Sequence, residues 1–340
     1  MANIIIRSLA AFAAAFIALG HSAQAEPLRL IVTHLQPPLV PNSVMDLALE
    51  LGYFEREGVD VELVRVQQTP SAVAAILAGE GDMANVGVSA VLQLHAQGDD
   101  TLKAVTSPNK SLPFLIAAKD EISSASDLQG RVFGVGRIGS LDHSLSSHVL
   151  EANGISMAAM EVVTLGQPAV RARALVAGQV DATTMSIGTW LSIPDRSGIA
   201  ILVPADDYYA RAPVVNKVNV VTAEVLETRR DDVIALVRAL TRISRDFAAD
   251  PDLWAAAMET HAPQMAPETL QELAQSFAGG WSVNGGMGRG ELQFTQDWVY
   301  RTDDFRDAAP VDLADWVDFT VADDVIAELG VVEDADAPSR

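Results

Sequence analysis

The sequence predicts an α/β chain of two similar lobes, each a parallel sheet flanked by helices, with a ligand site between them. Three observations carry this. Leu77-Ala78-Gly79-Glu80-Gly81-Asp82-Met83-Ala84 is echoed later by Val176-Ala177-Gly178-Gln179-Val180-Asp181-Ala182-Thr183, and a repeated helix–glycine–strand unit points to two related halves. Each copy follows a helical run opened by a proline, Pro70 or Pro168, and carries a glycine, Gly79 or Gly178, suited to the left-handed residue that closes a helix. Short apolar strands alternate with helical runs from residue 28, and the pattern restarts after Pro113. That alternation builds parallel sheets.

Residues 28–33 read as a buried strand, followed by the proline-broken loop Thr33-His34-Leu35-Gln36-Pro37-Pro38. A helix is expected next, capped by Asn42 or Ser43, with Val44, Leu47, Ala48 and Leu51 on one face. Val59, Val61 and Leu63 alternate with Asp60 and Glu62 as a half-exposed strand does. Thr69-Pro70 starts a helix whose inner face is Val73, Ile76 and Leu77. Residues 82–86 form a strand, Gly87 a turn, and 89–97 a helix. In the second half, strands are expected at 114–118, 132–135, 161–165 and 180–185. Ser126-Asp127-Leu128-Gln129-Gly130-Arg131 is a capped turn of helix. Leu141, Leu145 and Val149 mark one helix and 168–177 another. Residues 201–203 are apolar, a loop with Tyr208 and Tyr209 follows, and 214–222 read as a strand returning to the first lobe. Beyond it, 223–328 are helical, with Val233, Leu236, Val237, Leu240 and Ile243 at helix spacing, and wrap the first lobe.

Residues 1–25 have the form of a secretory signal peptide: Arg7, an apolar core at 9–19, and the small-x-small site Ala23-Gln24-Ala25. Cysteine is absent, which excludes disulfides, thiolate chemistry and a lipidated N-terminal cysteine. The formal charge of −22 disfavours nucleic acid and anionic membranes as partners. The acidic residues Asp303, Asp304, Asp307, Asp312, Asp315, Asp318, Asp323, Asp324 and Glu328 read as a solvated helical face and tail.

The chain resembles the periplasmic solute-binding proteins of ABC importers, in the group that includes taurine, alkanesulfonate, nitrate and thiamine-precursor binders. The matching residues are Leu51-Gly52-Tyr53-Phe54 with Glu57-Gly58-Val59-Asp60-Val61, the two Gly–Asp turns quoted above, Ser126 to Arg131, and Gly139-Ser140 with His143. The resemblance implies a type II periplasmic-binding-protein fold, with mixed, mostly parallel sheets and two crossing strands as a hinge. The crossings are expected at Pro113-Phe114 and Val215-Asn216. On this reading residues 26–113 plus 216–328 form lobe 1, 114–215 form lobe 2, and 329–340 are an acidic C-terminal tail. The protein is then expected to work in the periplasm as a monomer, without cofactor, and to deliver a small solute to an inner-membrane ABC permease.

Ligands in open α/β sheets lie beyond the carboxyl ends of strands, against helix N-termini. Four loops meet that rule. The first offers His34 and Gln36. In the second, Gly87-Val88-Ser89, free N–H groups of Val88 and Ser89 suit an anionic or polar group. The third is Gly139-Ser140-Leu141-Asp142-His143, in which Asp142 is first a carboxylate favoured by the helix dipole. The fourth is Met185-Ser186-Ile187-Gly188, with Trp190 beyond it as an apolar wall. Arg137 is the nearest arginine, so neutral donors are expected to dominate.

The expected function is capture of a sulfonate, carboxylate or polar N-heterocycle, with no chemistry performed. Two alternatives are a ligand-sensing receptor module and an enzyme like those of thiamine-pyrimidine synthesis, whose cysteine-rich motif is missing. No Gly-x-Ser-x-Gly nucleophile elbow is present. His143 and His148 are five apart, about 140° around a helix, and make a poor metal pair.

Overall fold

A computed structural model describes residues 26–333 and 335–339; the expected signal peptide lies outside them. Ten strands form two five-stranded sheets. The first sheet contains β1 (Leu28–Val32), β2 (Val61–Arg65), β3 (Met83–Gly87), β4 (Leu102–Thr106) and, from much later in the chain, β10 (Lys217–Thr222), in the order β2-β1-β3-β10-β4. The second contains β5 (Phe114–Lys119), β6 (Val132–Val135), β7 (Glu161–Thr164), β8 (Ala182–Ser186) and β9 (Ile199–Val203), ordered β7-β6-β8-β5-β9. In each sheet four strands run one way and one, β10 or β5, runs against both of its neighbours. The two sheets therefore share one topology.

Strand β1 shows why its run is apolar throughout. Leu28, Leu30 and Val32 join one core cluster while Ile31 joins another, because successive side chains leave a strand on opposite faces and helices cover both. The helix Arg230–Ala249 buries Val233, Leu236, Val237, Leu240, Ile243 and Phe247 along one stripe. Each such side chain contributes roughly 1.5–3 kcal/mol when fully buried.

The two echoed segments do the same mechanical job. Gly79 and Gly178 take φ of +76° and +70°, the left-handed residue that ends each helix. The aspartate that follows then locks strand to strand. Asp82 Oδ2 accepts the Arg29 N–H at 2.8 Å while the Asp82 N–H donates to the Arg29 carbonyl at 2.9 Å. Asp181 Oδ2 likewise accepts the Val132 N–H at 2.8 Å, and the Asp181 N–H donates to the Val132 carbonyl at 2.8 Å. Cations flank both carboxylates: Arg29 and Arg229 at Asp82, Lys119 and Arg131 at Asp181.

Several local expectations are corrected. Strand β4 lies in a stretch read without structure, and residues 205–211, read as a loop, form the helix Ala205–Arg211. Gly87 is the last residue of β3 rather than a separate turn, so its helix starts one residue early, as Val88–Ala96. The capped turn begins at Ser124, in a reciprocal capping box with Asp127. Ser43 precedes its helix but makes no cap bond; its Oγ accepts from the buried Trp254 indole at 2.9 Å. Thr69 is inside its helix, and its Oγ1 accepts the Gly87 N–H at 3.2 Å.

The C-terminal helices wrap more than the first lobe. Phe294 and Trp298, on the helix Arg289–Tyr300, pack on the second lobe's core and flank His148 at ring distances of 5.5 and 5.6 Å. Asp312 and Asp315 form a capping box, and Asp318 accepts from the Thr320 N–H at 2.8 Å. The final segment differs from a solvated tail: Asp336 is buried and accepts the N–H groups of Asn284 and Gly286 at 3.1 and 3.0 Å.

Candidate functional site

Topology places a cleft at the segments that join the sheets. The chain leaves β4 at Thr106 and enters β5 at Phe114; it leaves the second lobe after Arg211 and enters β10 at Lys217. Lys217 pairs with Gly87 at the end of β3, and Phe114 pairs with Ser186 at the end of β8. Since β1 and β6 run parallel to β3 and β8, the carboxyl ends of all four strands meet the same crossing segments. That is where ligands bind in such sheets.

Each crossing is tied to a helix start. The Val88 N–H donates to the Asn216 carbonyl at 3.1 Å, and the Ile187 N–H donates to the Pro113 carbonyl at 2.8 Å. Val88 is itself buried. The expectation of free amides in the Gly87-Val88-Ser89 loop is thereby reduced: Gly87 and Val88 have partners, and of the three only Ser89, exposed in the first turn of an uncapped helix, keeps its N–H available.

In the second lobe a cavity of about 360 Å³ is lined by Phe114, Gly136, Arg137, Ser140, Leu141, Asp142, Arg171 and Ser186, among others. Ser140 Oγ lies 2.5 Å from both the Arg137 carbonyl and Asp142 Oδ1, so its hydroxyl holds its own loop. Gly139, at φ +78°, donates its N–H to His143 Nδ1 at 3.1 Å, which fixes the Nε2–H tautomer. Asp142 accepts the Gly136 N–H at 2.7 Å and faces the Arg171 guanidinium at 3.5 Å. Arg171 is buried and donates to the Thr184 and Gly166 carbonyls, so this cation is fully occupied. Ser186 Oγ accepts the Thr189 N–H at 3.2 Å as a helix cap.

In the first lobe His34 Nε2 bonds Asp46 Oδ2 at 2.7 Å, and Arg65 meets the other oxygen at 2.6 Å. Burial alone would raise the Asp46 carboxyl, but His34 and then Arg65 hold it below the usual range. His34 therefore orders its loop, whereas Gln36 stays exposed beside Leu35. Leu39 reaches across to the second lobe, where a Cβ on Gly188 would come within 3.3 Å of its Cδ1. Trp190 belongs to the core, with the Arg196 guanidinium 5.4 Å from its ring centroid, and borders a different cavity of about 170 Å³ beside Glu272. It does not line the Ser140 cavity. A groove of about 510 Å³ lies between Ala172, Val176, Ile193 and Pro194, away from the strand ends.

One residue of this region went unread in the sequence. Lys217 Nζ donates to Thr33 Oγ1 at 2.5 Å, across the end of β3. Burial holds the ammonium below its usual range, and no carboxylate pairs with it among the described residues. Its rarity was the available signal, because the chain has only Lys103, Lys110, Lys119 and Lys217. No group of three or more His, Asp or Glu among the described residues is arranged to hold a metal ion.

This is the architecture of a periplasmic binding protein: two lobes of one topology, cleft between them. The NMT1/THI5 like family matches residues 44–253, and the chain belongs to that family. Its fold is similar to the periplasmic sulfonate-binding protein SsuA of a sulfonate ABC transporter from Methylobacillus flagellatus KT, at TM-score 0.66 and 16% identity, covering 92% of this chain and 98% of that one. It is also similar to the aliphatic sulphonate binding protein SsuA from Escherichia coli, at TM-score 0.53 and 16% identity over 84% and 94% of the two chains. The desulfurization enzyme DSZB shares the fold as well, at TM-score 0.62 and 15% identity over 89% and 99%. At these identities the likeness concerns the fold. No curated protein matches the sequence significantly. No helix among the described residues is long and apolar enough to cross a membrane.

Proposed function

We propose that this protein is the solute-binding component of an ABC importer: a monomer, exported to the periplasm, that closes on a small organic solute and hands it to a membrane permease. The observation that carries the reading is the convergence of strand ends from two sheets of identical topology on the two crossing segments. Ligand contacts made only when the lobes are shut would drive closure. Polar groups near the strand ends fix orientation, and the exposed apolar side chains of Leu35, Ile138 and Leu141 suit a hydrocarbon portion.

A catalytic reading is kept alive by the desulfurization enzyme on the same fold. Against it, the candidate nucleophiles Ser140 and Ser186 are bonded within their own turns, and His143 accepts from a backbone amide rather than a serine. A thermal-shift panel of sulfonates, carboxylates, amines and pyrimidines tests the proposal. Ligand at about 100 times Kd adds about 2.7 kcal/mol, a rise of several degrees in Tm. A confirmed ligand recovered unchanged after prolonged incubation supports binding; turnover would establish the enzyme. No stabilisation by any member would overturn solute capture.

A further inference from the structure

We propose that Lys217 is the specificity-determining cation of the cleft and selects solutes bearing an oxyanion, a carboxylate or sulfonate, over neutral ones. This rests on the reading of the cleft as a solute site. The chain is strongly acidic, at −22, and has four lysines, of which three are engaged elsewhere. Lys119 pairs with Asp181 at 2.7 Å, Lys103 donates to the Asp315 carbonyl, and Lys110 is buried within the field of Asp336 and Glu291. Lys217 has only the Thr33 hydroxyl.

The surroundings supply donors and no competing acid. Thr33 Oγ1 accepts from Lys217, and Thr69 Oγ1 accepts from the Gly87 N–H; each hydroxyl keeps its own proton for another acceptor. Gly87, opposite Lys217 in the sheet, brings these groups together: a Cβ there would lie 3.7 Å from Thr69 Oγ1 and 3.8 Å from both Ser89 Oγ and the Asn216 carbonyl. The Ser89 hydroxyl and N–H complete the set. The Asp46 carboxylate is engaged by His34 at 2.7 Å and by Arg65 at 2.6 Å. One ammonium, three hydroxyls and an amide make this corner rich in donors. Its one close carbonyl, that of Asn216, already accepts from Val88, and an oxyanion satisfies such a set better than a neutral acceptor.

Calorimetry with propanesulfonate, pentanoate and neutral cytosine on the wild type, Lys217→Met and Lys103→Met tests this. The anions should bind the wild type and weaken on the order of 10- to 100-fold in Lys217→Met, as loss of a charge-assisted hydrogen bond does. Lys103→Met changes net charge equally and should bind as the wild type. Equal anion binding by Lys217→Met, or binding of cytosine alone, overturns the lysine assignment and leaves solute capture standing. Failure of all three probes on the wild type removes the cleft reading and the assignment together. A readout independent of any variant is acetylation of the Lys217 amine, followed by mass spectrometry. Saturating propanesulfonate should slow it, and an unchanged rate overturns the proposal.

Discussion

The two lobes repeat one another in backbone and differ in charge. Gly79 and Gly178 end equivalent helices, Asp82 and Asp181 tie equivalent strands, and Val88 and Ile187 give their amides to equivalent crossing carbonyls. At the strand ends the likeness stops. Arg171, which lines the second lobe's cavity together with Arg137, is spent on Asp142 and two carbonyls, whereas the first lobe's Lys217 touches a single hydroxyl. The comparison teaches that the scaffold sets where groups converge, and that a few side chains decide what they can hold.

The strongest way to break this comparison is to remove each cation. Arg171→Met strands a largely buried carboxylate and two carbonyls, and should destabilise the fold by roughly 3–5 kcal/mol in urea titration. A loss below about 1 kcal/mol would mean that the pair is not the closed unit described. The aspartate locks come next. Asp82→Ala and Asp181→Ala each leave a strand N–H unpaired and cations unbalanced, at a cost of about 2 kcal/mol apiece. Unequal losses would sharpen the comparison by showing which lobe relies more on its lock.

Acid should reproduce part of that loss. Burial opposes ionisation of Asp82 and Asp181, but Arg29 and Lys119 respectively, with backbone N–H bonds, hold both carboxyls below the usual range. A carboxyl depressed on folding binds its proton more readily when unfolded. Its stabilisation is complete above the unfolded-state value, about 3.9, and disappears as pH falls through the folded-state value. Urea midpoints should therefore drop below about pH 4, and the drop should be smaller in Asp82→Ala.

Smaller effects follow. Gly79→Ala and Gly178→Ala force a Cβ into left-handed backbone and should each cost about 1–2 kcal/mol. Lys217→Met should cost nothing or raise Tm slightly, since a half-buried ammonium without a carboxylate is expensive to desolvate. Destabilisation by this change beyond about 1 kcal/mol would assign Lys217 a structural role and erase the contrast with Arg171.

Strands and helices with clean periodicity were legible: β1, β3, β6 and β8 lie within a few residues of their expected spans, and the Val233 to Ile243 spacing falls on one helix, Arg230–Ala249. The glycine–aspartate echo was legible because its requirement is local, a positive φ followed by a strand. The caps were not. Thr69 and Ser43 carry the right side chains, but each oxygen is taken by a distant partner, the Gly87 N–H or the Trp254 indole, and no local window contains that competition. Strand β4 was missed because Lys103 and Thr106 interrupt its apolar residues. Lys217 escaped for the same reason as the caps: its partner Thr33 stands 184 positions away. For Trp190 the sequence left wall and core both open, and burial puts it in the core.

The bonds from Val88 to the Asn216 carbonyl and from Ile187 to the Pro113 carbonyl carry a mechanical consequence. On the proposed function, each lobe's grip is bolted to the pivot itself, so that a swing of the hinge would transport the whole recognition surface without reshaping it.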